Sequence, residues 1–220
     1  MEILYQDHAL WVAVKPPELL SEQAPDKKGF ADLLAAQNHG YVGVIHRLDM
    51  GVGGVMVYAK TAESASKLSA MVQAHQFQKE YLAIVCGKPA AECDTLRDLL
   101  FHDRYANKTY VTNSQRKGVK EASLEYRLLS TVQNEEYGTL SLLAIKLHTG
   151  RTHQIRVQFA SRGLPLLGDR KYGCRYKTPI GLFSHALSFA HPKSGQPLQF
   201  SQKPSGFPWN LFDDTKSAQN

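Results

Sequence analysis

His46, Arg47 and Asp49 lie within Gly43 to Lys60, GVIHRLDMGVGGVMVYAK, where ionisable groups interrupt two apolar runs. Val42 to Ile45 and Val55 to Tyr58 are dominated by β-branched and aromatic residues and bounded by glycines, which predicts two strands joined by a turn. An imidazole, a guanidinium and a carboxylate in a turn between core strands need a reason. The simplest is a structural ion pair between Arg47 and Asp49, with Gly51, Gly53 and Gly54 turning the chain. A phosphate cradle does not fit, because the spacing is neither G-x-G-x-x-G nor G-x-x-x-x-G-K-[ST]. A kinase catalytic loop does not fit either, since that motif runs His-Arg-Asp without the intervening Leu48.

A second motif, LHTGRTHQIRVQFASRGLPLLGDRKYG, occupies Leu147 to Gly173, and a short one, KEY, occupies Lys79 to Tyr81. With HRLD at 46 to 49, these three in this order and at these separations resemble the RluA-type family of RNA pseudouridine synthases. The likeness runs from about Ile3 to Phe200. HRLD alone is a signal of moderate specificity, but its combination with GRTHQIRV and LLGDRKYG is hard to obtain by chance.

The resemblance implies an isomerase that converts uridine to pseudouridine in structured ribosomal or transfer RNA. It also implies an α+β fold, a long, bent, mixed and mainly antiparallel sheet with flanking helices. Asp49 corresponds to the catalytic aspartate, acting on the ribose as nucleophile at C1′ or as base at C2′. Arg156 aligns with the active-site arginine, and a two-bond guanidinium–carboxylate pair with Asp49 would keep that carboxylate ionised. Tyr81 aligns with the tyrosine that stacks on the flipped uracil. Arg47 and Arg151 are expected to contact RNA, and His46 and His153 to serve as structural hydrogen-bonders. The reaction involves no redox change and no net hydrolysis, so no cofactor is expected.

Local patterns give the elements that must position these groups. Ile3 to Val14 reads as two strands across a turn at Gln6 to His8, ended by Pro16 and Pro17, because proline lacks the ladder donor. Gly29 to Asn38 has helical spacing with Gly40 as a stop, and Thr61 is placed to cap a helix whose buried stripe is Ala65, Leu68, Met71 or Val72, and His75. Lys79 to Gly87 is a strand. Ala122 to Leu128 and Leu140 to Leu147 form an antiparallel pair around Asn134 to Gly138. Thr152 is expected to cap a helix carrying Ile155, Arg156 and Phe159, ended by Gly163, and Leu182 to Ala190 and Gln196 to Phe200 supply the last strands. One catalytic domain is expected over residues 1–212, beginning without the small S4-type domain of many relatives, and 213–220 is expected to be a disordered tail.

Between Arg97 and Lys120 six basic residues (Arg97, Arg104, Lys108, Arg116, Lys117, Lys120) face Asp98 and Asp103, with Tyr105 and Tyr110 interleaved. No periodicity shows, so the segment reads either as a solvated connection or as a groove for single-stranded RNA in which Arg116, Lys117 and Lys120 bind. Arg151 to Lys177 carries seven basic residues against Asp169, a cationic wall beside the motif.

The chain has 220 residues, 43% hydrophobic content and a formal charge of +6, enough for a sizeable core and suited to a polyanionic partner. Three cysteines without a C-x-x-C pair argue against a disulfide framework and fit a reducing cytoplasm. No signal sequence or membrane-length apolar run is present. None of the nine histidines has a second ligand at metal spacing, so no metal is expected; a monomer is. The competing readings are a non-catalytic RNA-binding or chaperone module and, ranked last, an unrelated hydrolase using Asp49 and His46. One departure from the family stands out: Val52-Gly53-Gly54 replaces its usual Thr-Ser-Gly. The lost hydroxyls and added glycine predict a looser turn beside Asp49.

Overall fold

The computed structural model describes residues 1–24, 27–38 and 40–218. The fold is α+β with mixed, mainly antiparallel strand pairing. The chain forms two compact units, Met1–Glu80 with Phe183–Pro204, and Tyr81–Leu182 with the chain from Ser205.

In the first unit β1 (Glu2–Gln6) and β2 (Leu10–Lys15) form a hairpin. The Asp7 carboxylate closes its turn by accepting from the Ala9 and Leu10 amides. Helix α1 (Phe30–Asn38) follows, then β3 (Gly43–Val44) and β4 (Gly53–Ala59). All seven β4 residues are buried, which is why that run is apolar throughout rather than alternating. β2 and β3 pair with β4 antiparallel, and β10 (Leu182–Ala190) joins β4 in parallel through Phe183 and Ser184. β11 (Pro197–Ser201) pairs antiparallel with β10. Val12, Val55, Val57, Leu68, Phe77 and Phe189 form the core, with Phe77 and Phe189 stacked at 4.8 Å between centroids.

Two expectations in this unit need correction. The strand expected over Val42 to Ile45 is reduced to Gly43–Val44, because its ladder covers only Ala59 and Tyr58. His46 Nε2 accepts the next amide, that of Val57, at 3.3 Å. His75 does not belong to the buried stripe of α2 (Ala62–Gln73). It is exposed, with φ 57°, just past the helix end. The bonds from the His75 amide to Val72 O and from the Gln76 amide to Met71 O make a Schellman ending that requires a left-handed residue there. At the other end Thr61 caps as expected, accepting from the Ser64 amide at 3.1 Å.

The second unit contains β5 (Gln78–Cys86, from Tyr81 onward), β6 (Cys93–Asp103), β7 (Lys108–Thr112), β8 (Val119–Asn134) and β9 (Gly138–Leu147), in the order β5-β9-β8-β6-β7. Helix α3 (Gln154–Ala160), a 3-10 turn at Arg170–Tyr172 and a 3-10 helix at Trp209–Ala218 complete it. Ile84, Leu140, Leu167, Cys174 and Phe212 make one core cluster, and Leu100, Ala122, Val157 and Tyr172 another. The 3-10 helix, anchored by Trp209, Leu211 and Phe212, runs past Asp213, where a disordered tail is expected; Gln219 and Asn220 lie outside the described residues.

The Arg97 to Lys120 segment is not a structureless connection. β6 and β7 form a hairpin, and β6 pairs with β8 from Cys93↔Arg127 to Phe101↔Val119. Its strands are specified by partners distant in sequence, with Leu96, Leu100 and Thr109 buried among exposed polar neighbours, so no local period reveals them. Thr152 likewise does not cap α3. His153 is the N-cap residue, with a left-handed backbone. The Gln154 side chain reaches back to accept from the Arg151 amide at 3.0 Å.

Candidate active site

Asp49 sits in the turn between β3 and β4, closed by a bond from the Val52 amide to Asp49 O at 2.9 Å. Residues 15 to 21 hold this turn on both sides of Asp49. Ser21 Oγ donates to Leu48 O and accepts from the Leu48 amide, both at 2.9 Å, and Ser21 is buried. Beyond Asp49, Met50 O accepts from the Glu18 amide at 2.8 Å and from Lys15 Nζ at 3.3 Å. Lys15 is fully buried and also donates to Pro16 O at 2.9 Å and Leu19 O at 2.7 Å. Burial pushes its ammonium down to about 8, while the negative charges of Glu18 and Asp49 pull it back up.

Sequence reasoning missed Lys15 and Ser21. The available signal was a lysine closing the apolar run LWVAVK, a place where a charge is tolerated only if its three N–H donors find acceptors.

The turn beside Asp49 is not loose. Val52 is 2% exposed, and Gly53 lies in β4 rather than in a flexible bend. A Cβ on Gly53 would come within 3.2 Å of Lys15 O and Pro17 Cδ, so glycine there permits close backbone approach. Gly54 is more constrained: its φ is 129° and a Cβ would lie 2.6 Å from the Ser184 amide nitrogen. The expectation of looseness fails because it placed these glycines in the turn, whereas they begin a buried strand.

Arg47 does not take the simple structural role of pairing with Asp49. It pairs with Glu22 at 3.0 and 3.2 Å, and both side chains are largely solvated. Such a pair contributes about 0–1 kcal/mol, so Arg47 can exchange it for another anion. Burial, then the positive charge of Lys79, hold His46 well below its ordinary pKa. With Nε2 accepting from Val57 it is a neutral structural residue.

In the second unit Arg156 projects from α3. Its two-bond carboxylate partner is Asp169: Nε donates to Oδ2 at 2.7 Å and Nη2 to Oδ1 at 2.8 Å, with side-chain exposures of 12% and 1%. Within its own unit Arg156 thus makes a planar two-bond pair with Asp169. The Tyr172 ring lies 5.1 Å from the guanidinium. Tyr81, on β5, is 8% exposed.

The RNA-binding candidates Arg116, Lys117 and Lys120 are exposed on the segment after β7 and at the start of β8. Arg116 lies over Phe101 at 4.3 Å, and Tyr105 at the hairpin tip is fully exposed. Arg151 is partly tied down, its Nε donating to Glu121 O at 2.9 Å. The cationic wall is thinner than its sequence suggests, since Arg162 pairs with Asp98 at 2.9 Å and Arg156 with Asp169. Among the described residues no group of three or more His, Cys, Asp or Glu side chains is arranged to hold a metal. None of their helices is long and apolar enough to cross a membrane.

Residues 9–161 match the family model described as RNA pseudouridylate synthase. The chain is 31% identical to ribosomal large subunit pseudouridine synthase D of Pseudomonas aeruginosa, over 96% of this chain and 71% of that protein. It is 32% identical to tRNA pseudouridine synthase C of Haemophilus ducreyi, over 91% and 90%. Among solved structures, human RNA pseudouridylate synthase domain containing 1 superposes with a TM-score of 0.80 at 20% identity, over 96% of this chain and 85% of that one. A likeness at that identity concerns the fold. On the sequence matches, the chain belongs to the RNA pseudouridylate synthase family, as its resemblance to RluA-type members implied.

Proposed function

We propose that this chain isomerises uridine to pseudouridine in ribosomal or transfer RNA, with Asp49 as the catalytic carboxylate. The observation that carries this reading is the turn holding Asp49, where Ser21, Glu18 and Lys15 fix the backbone on either side of one partly exposed carboxylate. A reacting group needs such preorganisation, and a merely structural turn does not. In the isomerisation the C1′–N1 bond breaks, a C1′–C5 bond forms, C5 loses its proton and N1 gains one. The atoms balance without oxidant, reductant or water, so neither cofactor nor metal is required.

Asp49 acts at the ribose, Tyr81 supports the detached uracil, and Arg156 supplies positive charge to the reaction. These roles for Tyr81 and Arg156 rest on their alignment with family motifs. Arg47, Arg151, Arg116, Lys117 and Lys120 bind the phosphate backbone. The chain works as a monomer in the cytoplasm, consistent with three free cysteines. The rival, a non-catalytic RNA-binding module, is separated by one experiment. Ribosomal and transfer RNA transcripts tritiated at uridine C5 are incubated with the full chain, and released tritium is counted. Release by the wild type and none by Asp49→Asn is the expected result. Binding without release by the wild type favours the rival.

A further inference from the structure

We propose that the GDRKY segment, Gly168 to Tyr172, is a clamp for Arg156 and that Asp169 is its positioning residue. This rests on the synthase reading above and assigns to Asp169 a role in that reaction. A 3-10 turn brings side chains three residues apart onto one face. Residues 170 to 172 form such a turn, so Asp169 and Tyr172 present a carboxylate and an aromatic ring to the same guanidinium, at 2.7 to 2.8 Å and 5.1 Å.

The backbone beneath the clamp is fixed. Asp169 N donates to Leu166 O at 3.0 Å, and Asp169 O accepts from Tyr172 N at 3.1 Å and Cys174 N at 3.0 Å. Gly168 has φ 77°, and a Cβ there would meet Thr178 O and Pro179 O, so the approach to Asp169 admits only glycine without strain.

Tyr172 is itself held at its far end. Its hydroxyl accepts from the Thr109 amide at 2.8 Å and is hydrogen-bonded to His153 Nδ1 at 2.9 Å. His153 is the N-cap residue of α3, three positions before Arg156. Thr109 Oγ1 donates to Thr152 O at 2.8 Å and takes the Nδ1 proton of His102 at 3.0 Å. The guanidinium therefore meets a fixed carboxylate on its Nε–Nη2 edge and a fixed ring against its plane. Its remaining N–H groups are aimed by that pairing and not by the flexible arginine stem.

Asp169→Asn keeps the side-chain volume but gives Arg156 one carbonyl oxygen and an amide donor in place of two acceptors. In the tritium-release assay it should lower kcat on the order of 100-fold, the loss that displacement of a positioned group by about 1 Å can cause. KM for the RNA should stay within about threefold, because no phosphate contact changes. Asp169→Glu retains both oxygens and should keep at least a tenth of wild-type kcat. In an Arg156→Lys background, where no planar pair forms, Asp169→Asn should cost less than about threefold more, a non-additivity that a merely structural role would not give. Circular dichroism and thermal melting establish that each variant is folded.

Asp169→Asn turning over within threefold of wild type while Arg156→Lys is defective would overturn the clamp. So would a folded Asp169→Glu as inactive as Asp169→Asn, which would mean that shape and not the two acceptors is needed. If Asp169→Asn does not fold, Asp169→Glu decides alone: a tenth or more of wild-type kcat supports the clamp, and less in a folded protein refutes it. Wild-type protein that releases no tritium would refute the synthase reading instead.

Discussion

Replacing Ser21 by alanine tests whether the Asp49 turn is held from outside. The hydroxyl makes two bonds of 2.9 Å to the two polar groups of Leu48, and both residues are buried. Alanine leaves an amide and a carbonyl of Leu48 without these partners, and an unsatisfied buried backbone group costs roughly 1–3 kcal/mol. Allowing for the desolvation that the absent hydroxyl no longer suffers, the loss should be about 2–4 kcal/mol. Tyr58 donates to the carbonyl of residue 21, not to its side chain, so that bond survives and the effect stays local. Native-state hydrogen exchange is the suitable assay, since the chain has two compact units and need not melt in one transition. The Leu48 amide should exchange roughly 30- to 1000-fold faster, at about 1.4 kcal/mol per factor of ten, with kcat reduced and RNA affinity retained. A Leu48 amide exchanging within threefold of wild type, in a folded variant, would show that the turn is rigid without Ser21 and refute the argument.

Lys15 gives a prediction with a pH signature. Its folded-state pKa is lowered to about 8 from an ordinary 10.5, so above pH 8 the unfolded chain holds more protons and stability should rise with pH until about 10.5, by up to about 3 kcal/mol. Urea titrations at pH 8 and pH 10 should show this gain in the wild type relative to Lys15→Met, and parallel pH dependence in the two proteins would refute it. Neutralising Arg116, Lys117 and Lys120 together should weaken RNA binding and flatten the slope of log affinity against log salt by about 2–3; an unchanged slope would make that segment a solvated surface.

The elements most legible in the sequence were those whose partners lie close along the chain. The β8–β9 hairpin around Asn134 to Gly138, the Thr61 cap and the β1–β2 hairpin carry their turn or cap chemistry within a few residues. The β6–β7 hairpin hid because its buried positions, Leu96, Leu100 and Thr109, are sparse and its pairing with β8 is long-range. The same division applies to the candidate site. Asp49, Tyr81 and Arg156 are candidates through motifs, with a planar pair expected between Arg156 and Asp49. That Arg156 meets Asp169 in two bonds depends on a 3-10 turn which residue types alone do not announce. Ser21 acts on Leu48 through its hydroxyl across 27 positions, and nothing local distinguishes it from any other serine.

The pairing of Arg156 predicts an effect on stability as well as on turnover. Arg156 is gripped through its side chain, which supplies two N–H donors to a carboxylate only 1% exposed. Arg156→Met takes both donors away and leaves the Asp169 charge in a buried place, at a cost of about 3–5 kcal/mol. Arg156→Met with Asp169→Leu removes charge and donors together and should recover most of that loss while remaining inactive, because replacing a buried pair by apolar groups is often neutral. Denaturation of the wild type and the two variants decides the matter. Arg156→Met as stable as wild type, or a double variant no more stable than Arg156→Met, would show that the pair contributes little to the second unit and that its rigidity comes from elsewhere.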